Sequence, residues 1–301
     1  KLVLPIYSRV LSLAISKDFA NQKNGKINMT KHQNSEQFNR RRELLAVEEE
    51  TNKNKIIQAH GAEHFKAQVK NKFFKRVNTQ VNKVFDNKEN LYTNVLKIED
   101  AAPSIMEILA VKAASINRIT PLAKSLPWLC NDLINLVNKP QYRKRSDIQV
   151  TEPSLALSYV GLDNLKLVMP TFMLKHWLPT STYPYPLMKR KLWNDSLSIA
   201  LASQRLAKEE GLDEFTAFTA GMLSNLGLLA VTRGFLDTYS ELYNKDLRAS
   251  YENKDKKLHD ILQTLDTAPD LLLEQLLERS SKVAADMVEL MRFDRLQITE
   301  P

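Results

Sequence analysis

A shortage of glycine constrains this chain more than any other feature of its sequence. Only 7 of its 301 residues are glycine, and 12 are proline, whereas glycine makes up about 7 % of an average protein. A chain so poor in turn-forming residues predicts long helices joined by short connections. Since 43 % of the residues are hydrophobic, the chain can also bury a sizeable core. We therefore expect an all-α fold, built as a bundle of many helices.

Beyond residue 90, prolines separate a succession of segments with helical periodicity. Several segments have recognisable starts: Pro153 follows Glu152, and Asp213 stands directly before Glu214, as is typical of helix N-termini. The expected helices cover residues 103–113, 119–125, 127–138, 153–160, 162–177, 187–210, 213–222 and 226–243. Two or three further helices are expected before residue 293.

The positive charge of the chain is concentrated near its beginning. Residues 1–90 hold 18 Lys and Arg against 9 Asp and Glu, whereas residues 91–301 hold 25 against 26. Residues 21–37 are polar and rich in Asn and Gln, which predicts a mobile linker, and a solvated helix is expected over residues 40–59. We thus predict two regions: a basic, partly flexible N-terminal helical region over residues 1–90, and a larger helical domain over residues 91–293.

One segment of the N-terminal region predicts a basic amphipathic helix. Its apolar stripe recurs every three or four residues and consists of Phe65, Val69, Phe73, Val77, Val81 and Val84. Basic residues occupy the remaining arc, and those that could contact an anion are Lys66, Lys70, Lys75, Arg76 and Lys83. We favour the interpretation that the stripe packs within this chain while the lysines face water. Contact with phosphate or lipid headgroups is the alternative.

A short motif in the same region resembles a zinc site. Residues 60–64 read HGAEH, which matches the H-x-x-E-H pattern of a helical metalloprotease site. We reject this interpretation because Gly61, a poor helix former, would lie inside the rigid helix that such a site requires, and because Gln58, Lys66 and Gln68 provide no apolar wall around a metal. We expect no metal here.

Other signatures of cofactors, disulfides and membrane spans are missing from the sequence. Cys130 stands alone in an apolar run, which predicts a core residue. No glycine-rich run suited to cradling a phosphate occurs. The apolar opening from Leu2 to Ile15 is interrupted by Pro5 and Arg9 and falls short of the ~20 residues that a spanning helix needs. We predict no cofactor, no membrane span and a cytoplasmic location.

Three stretches of the larger domain resemble the HDOD (HD-related output domain) family. Residues 129–140 read LCNDLINLVNKP, and residues 154–165 read SLALSYVGLDNL, close to the family's S-L-x-x-A-L-x-x-L-G-L-x-x-L signature. The third match begins with WNDS at residues 193–196 and continues with AGMLSNLG at residues 220–227. The resemblance covers roughly residues 91–290 and implies an HD-like helical bundle.

The resemblance also implies that an ancestral metal site has been lost. Relatives with an intact HD-like motif read tryptophan-x-histidine-serine at the first position and A-G-L-L-H-D-I-G at the second, where histidines and aspartates hold metal ions that generate hydroxide. In this chain Asn194 or its neighbour replaces the first histidine, and Ser224 and Asn225 replace the His-Asp pair. We interpret Asn194, Ser224 and Asn225 as a vestigial pocket whose members satisfy one another and helix ends by neutral hydrogen bonds, with no catalytic and no metal-binding residue.

Taken together, these features favour a non-catalytic bacterial signal-transduction module that acts through protein–protein interaction. The expected partner is another signalling protein, and the sequence specifies no oligomeric state. Two alternatives stay open: a diverged HD-type metal-dependent phosphohydrolase, and nucleic-acid binding through the basic N-terminal helix.

Overall fold

The computed structural model describes residues 46–142, 149–179, 185–265 and 267–296, and all regular structure in these ranges is helical. The expected all-α bundle is therefore confirmed. The predicted linker at residues 21–37 and the apolar opening at residues 2–15 lie outside the described residues. The helices are α1 (Ala46–Phe85), α2 (Lys88–Asn90, continued by a π-helical turn, Leu91–Val95), α3 (Ala101–Leu109), α4 (Ile116–Lys124), α5 (Pro127–Val137), α6 (Pro153–Trp177), α7 (Pro186–Glu209), α8 (Glu214–Leu223), α9 (Leu226–Glu252), α10 (Lys256–Gln263) and α11 (Pro269–Met291).

Two of these helices form the centre of the bundle. Helix α6 packs against α3, α4, α5 and α8, while α9 packs against α1, α10 and α11. The first part of α9 is buried almost all round, from Leu226 to Tyr239, as expected of a helix enclosed by other helices. The helices around α6 and those around α9 therefore form the two sides of one continuous core.

The helices predicted beyond residue 90 all exist, and their boundaries differ most at two ends. The helix expected over residues 103–113 ends at Leu109, because the chain turns so that the N–H of Ala114 donates to Val111 O. The helix expected over residues 226–243 continues nine residues further, to Glu252. Its additional turns pack against α10, because Ser250 is buried and its hydroxyl lies 2.9 Å from Nδ1 of His259 on α10.

A glycine divides α6 where the sequence predicts a break. Gly161 has φ 75° and ψ 164°, a conformation that a side chain makes costly. The two predicted helices, 153–160 and 162–177, are therefore confirmed as separate helical segments within one element.

Helix α1 joins the basic N-terminal region to the larger domain. It is a single helix that includes Gly61. Phe73, Val77 and Val81 are buried at 0–2 % exposure, and the Phe73 ring meets Tyr239 of α9 edge-on at 5.5 Å. The predicted packing of the stripe within this chain is confirmed for its second half, whereas Phe65 remains 39 % exposed.

Polar contacts to α11 hold the end of α1 in place. Gln275 Nε2 donates to Asn78 Oδ1 at 3.0 Å, and Arg279 donates to Asp86 at 3.0 Å. Lys88, just after α1, forms an ion pair with Glu289 at 2.7 Å. Because α1 contributes both apolar and polar contacts, its C-terminal half is part of the bundle.

One stretch within the described residues is long and apolar enough to cross a membrane. It spans residues 214–252, and 72 % of its most apolar window is buried inside the bundle. The stretch is also divided between α8 and α9 at Ser224 and Asn225. A core helix passes the same test of length and composition, so this stretch is weak evidence for a span.

Candidate functional site: the crevice between α7 and α8

The residues matched to the HD motif lie where α7 and α8 pack together. Helix α8 begins at a capped end, where Asp213 accepts the N–H of Thr216 at 2.8 Å, as the sequence predicts. Near the other end, Gly221 faces Ala200 of α7 so closely that an added Cβ would lie 2.7 Å from the Ala200 amide nitrogen and closer still to its Cα. The two backbones therefore touch, and the crevice has no room beside Gly221 even for a methyl group.

Ser224 and Asn225 follow directly and make neutral hydrogen bonds. The hydroxyl of Ser224 donates to the backbone oxygen of Gly221 at 2.8 Å. The Asn225 amide nitrogen donates to Ser196 Oγ at 3.2 Å, and Ser196 is completely buried on α7. A buried hydroxyl needs such a partner, so Asn225 connects α7 to the junction of α8 and α9.

Asn194 does not line the crevice, although the sequence suggests that it does. It lies on the exposed face of α7, and among the described residues no hydrogen bond joins it to Ser224 or Asn225. Ser224 bonds to the end of α8 as expected, but the expected bonds among the three residues are not formed: Asn225 bonds to Ser196 instead, and Asn194 reaches neither of the other two. The reason is helical periodicity: successive residues turn by about 100°, so a residue two positions before the buried Ser196 points away from the crevice.

Ser196 lines this crevice, although it was not among the residues that the sequence predicted there. It belongs to the quoted WNDS motif, and a signal was present in its spacing. Leu192, Ser196 and Ala200 recur every four residues and are all buried on one side of α7. That spacing identifies Ser196 as the polar residue facing the crevice.

The donor atoms in this crevice do not suit a divalent metal ion. An HD-type centre uses imidazoles and carboxylates, whereas here a neutral amide and two hydroxyls are engaged with protein partners. Asp195, which precedes Ser196, lies on the exposed face of α7 like Asn194. Within the described ranges, no group of three or more His, Cys, Asp or Glu side chains is placed to hold a metal ion.

A second polar cluster surrounds the end of α6 and serves a structural purpose. Arg233 of α9 is half-buried and donates to Trp177 O at 3.0 Å, one of the carbonyls left without a helical partner at the end of α6. Burial lowers the pKa of Arg233 and raises the pKa of Asp237, one helical turn further on. The guanidinium therefore joins α9 to α6.

Close to this cluster, His176 stacks on Trp128 of α5. The ring centroids are 4.4 Å apart and the planes differ by 9°, while Trp128 Nε1 donates to Glu99 at 2.5 Å. Burial lowers the pKa of His176, which favours the neutral imidazole. The stacked pair forms part of a shallow recess of about 440 Å³ together with Lys97 and Pro127.

The basic residues that could contact an anion in the alternative interpretation do not share one face of α1. Lys66 and Lys75 are exposed, but their nine-residue separation places them on opposite sides of the helix. Arg76 is paired with Asp246 of α9 at 2.6 Å. The two remaining residues, Lys70 and Lys83, are also exposed, and the ammonium group of Lys70 lies 5.5 Å from the centre of the Phe74 ring.

An open groove lies beside the Arg76–Asp246 ion pair, between α1, α9 and α10. Its volume is about 470 Å³, and its wall includes Phe65 and Val69 of α1 and Leu258 and Leu262 of α10. Lys72 and the Arg76–Asp246 pair border it. Apolar side chains thus meet water here beside charges of both signs.

The chain was compared with known proteins. The family model of the HDOD domain matches residues 96–275, about three fifths of the chain. Searches of curated proteins and of solved structures gave no match. The match includes α3 to α10 and the crevice with Ser196, Ser224 and Asn225, and it begins after α1. On this match and on its all-helical bundle, the chain belongs to the HDOD family.

Proposed function

We propose that this protein is a non-catalytic regulatory module that acts by binding another signalling protein. The observation that carries the proposal is the closed crevice between α7 and α8. Gly221 contacts the backbone of Ala200 there, and the Asn225 amide is bonded to Ser196. A family whose name refers to signalling output is in keeping with this function.

The chemistry of the crevice argues against phosphoester hydrolysis. Such a reaction needs a metal-activated hydroxide and therefore a site that holds the ion and leaves one coordination position open. Ser224 and Asn225 carry no charge to offset a dication, and their polar atoms are already engaged in the fold. Even changes outside the ligand shell typically cost about 10- to 100-fold in metal affinity or activity, so replacing the ligands themselves should cost far more.

Protein binding, by contrast, needs exposed apolar surface bordered by polar groups. The groove between α1, α9 and α10 offers such a surface, since the partly exposed Phe65 lies beside the Arg76–Asp246 ion pair. We therefore propose that a partner inserts apolar side chains into this groove. Aromatic anchors of this kind carry much of the energy of protein interfaces.

The test is cross-linking of the full chain in the cells that express it, followed by identification of the linked peptides. We expect one dedicated protein to be linked to Lys72, which borders the groove. We also expect Phe65→Glu to abolish these links. Cross-links found only within the chain or between its copies would contradict the proposal.

A matched variant separates loss of binding from loss of fold. Tyr142→Glu also places a carboxylate at an exposed aromatic residue, and Tyr142 does not line the groove. This variant should leave the partner links unchanged.

Two further assays address the two alternative functions, phosphoester hydrolysis and nucleic-acid binding. Turnover of nucleotide phosphoesters with added Mn²⁺, lost in Asn225→Ala, would favour the hydrolase. Nucleic-acid binding that weakens steeply with salt and is lost on substituting Lys66 and Lys70 would favour a nucleic-acid-binding function.

A further inference from the structure

The outward face of α7 has no partner among the described residues, although it carries apolar side chains. The inward face consists of Met188, Leu192, Ser196, Ala200 and Ala207. On the other side, Ile199 is 41 %, Leu201 is 53 % and Leu206 is 62 % exposed. Single exposed leucines are common on protein surfaces, but here three large apolar residues lie within eight positions of one helix.

Small residues lie between these apolar side chains. Ser198 and Ala202 are exposed, and with 100° per residue they project within about 40° of each other. Ile199 and Leu206 border this strip on one side, and Leu201 borders it on the other. Another helix could therefore approach along the strip and contact apolar side chains on both flanks; packed helices have axes about 8–10 Å apart.

Charged residues continue the strip at both ends, and their order is self-complementary. From the N-terminal end they are Lys191, Asp195, Arg205 and Glu209, all exposed. Lys191 and Glu209 are equally far from residue 200, and so are Asp195 and Arg205. An antiparallel second copy related by a two-fold axis at residue 200 would place Lys191 opposite the partner copy's Glu209, and Asp195 opposite its Arg205.

We infer that α7 is a self-association surface, on which two copies of this chain pair through antiparallel α7 helices. A two-fold interface requires a surface that complements itself, and this order of charges fulfils that condition. A parallel pair in register would instead bring like charges together along the whole strip, which is unfavourable. Arg205 already contacts Glu209 on its own helix at 3.2 Å, with both side chains largely exposed, so both remain accessible to a second copy.

The contact should be modest in strength. One helix face buries less than the roughly 1,200 Å² of total surface that stable complexes exceed, and exposed ion pairs contribute at most about 1 kcal/mol each. We therefore expect a dimer with a dissociation constant on the order of micromolar. It should weaken at high salt, because screening reduces the attraction between exposed charges. The inference does not depend on the proposed function, since it concerns a different helix and a different partner.

The experiment is sedimentation equilibrium of the full chain over a range of concentrations that spans the micromolar region. The wild type should show a monomer–dimer equilibrium. Asp195→Arg and Arg205→Asp should each weaken it by at least about tenfold, because each places like charges in opposition at two symmetry-related positions. The double variant carrying both changes restores opposite charges and should regain most of the affinity.

A second pair of variants tests the apolar part of the strip. Leu206→Lys should also weaken the dimer. Leu155→Lys should not, since Leu155 is similarly exposed but lies on α6. A wild type that stays monomeric at every concentration would overturn the inference and assign the face to another molecule. It would equally be overturned if the single charge variants dimerise as well as the wild type, or if the double variant fails to recover.

Discussion

At the scale of single residues, glycines decide how closely the helices of this bundle approach. Gly221 permits backbone contact between α8 and α7, and Gly227 brings α9 against the backbone of Ser280 on α11. Both lie in the AGMLSNLG motif, so the stretch that identifies the family also determines the local packing. Gly61 differs from both, since nothing lies within 4 Å of the position its Cβ would occupy.

This contrast predicts opposite effects of one substitution. Gly221→Ala should lower the free energy of unfolding by about 1–3 kcal/mol or more, because the new methyl group meets backbone atoms that cannot move aside. Gly61→Ala should cause no loss, since alanine is favoured over glycine in a helix by about 0.5–1 kcal/mol. Urea unfolding followed by circular dichroism measures both variants. Equal stability of the two would show that the crevice is looser than described.

The stacked histidine gives a prediction on pH. Because burial lowers the pKa of His176, the folded state favours the neutral ring, and the stability due to this residue is fully present above the ordinary pKa of about 6.5. That stability should decrease as the pH falls from about 6.5 through the lower pKa of the folded state. NMR titration of the imidazole measures this pKa directly, with the resonance assigned by its absence from His176→Phe. A pKa at or above 6.5 would contradict the stacked, desolvated arrangement.

At the scale of helices, the sequence predicted which helices exist and which of their faces are apolar better than it predicted where they end. The break at Gly161 and the cap at Asp213 were predictable because one residue determines each of them. The end of α9 was not, because its last turns are held by the contact between Ser250 and His259 of the next helix. Helix α1 shows the same limit: the periodicity revealed its stripe, but only tertiary packing decides that burial begins near Phe73 and not at Phe65.

Two phenylalanines of that stripe form a matched pair for measurement. Phe73→Ala should destabilise the protein by about 3–5 kcal/mol, because it removes a fully buried ring that packs against Tyr239. Phe65→Ala should have a much smaller effect, since its ring is partly exposed and is not in the core. The comparison uses thermal unfolding of both variants under one set of conditions. Similar losses for the two would mean that the whole stripe is buried in solution.

At the scale of the whole molecule, the fold was predictable because local signals agree with the global one: few glycines, prolines between segments and helical periodicity all indicate a helical bundle. The site was predictable only in part. Ser224 and Asn225 lie at the crevice as their place in the motif suggests, but Asn194 turns outward and Ser196 takes the inner position. A motif gives the order of residues along the chain, whereas the angle around α7 decides which of them reaches the crevice.

The central claim is that this crevice has lost the ability to bind a metal ion, and metal content tests it most directly. The full chain is incubated with Mn²⁺, Fe²⁺ or Zn²⁺, exchanged into metal-free buffer and measured by mass spectrometry of the elements, with Asn225→Ala as a matched control. We predict far less than one ion per chain and no difference between wild type and variant, because the donors of the crevice are neutral and already bonded. One tightly held ion per chain that disappears in Asn225→Ala would contradict the account.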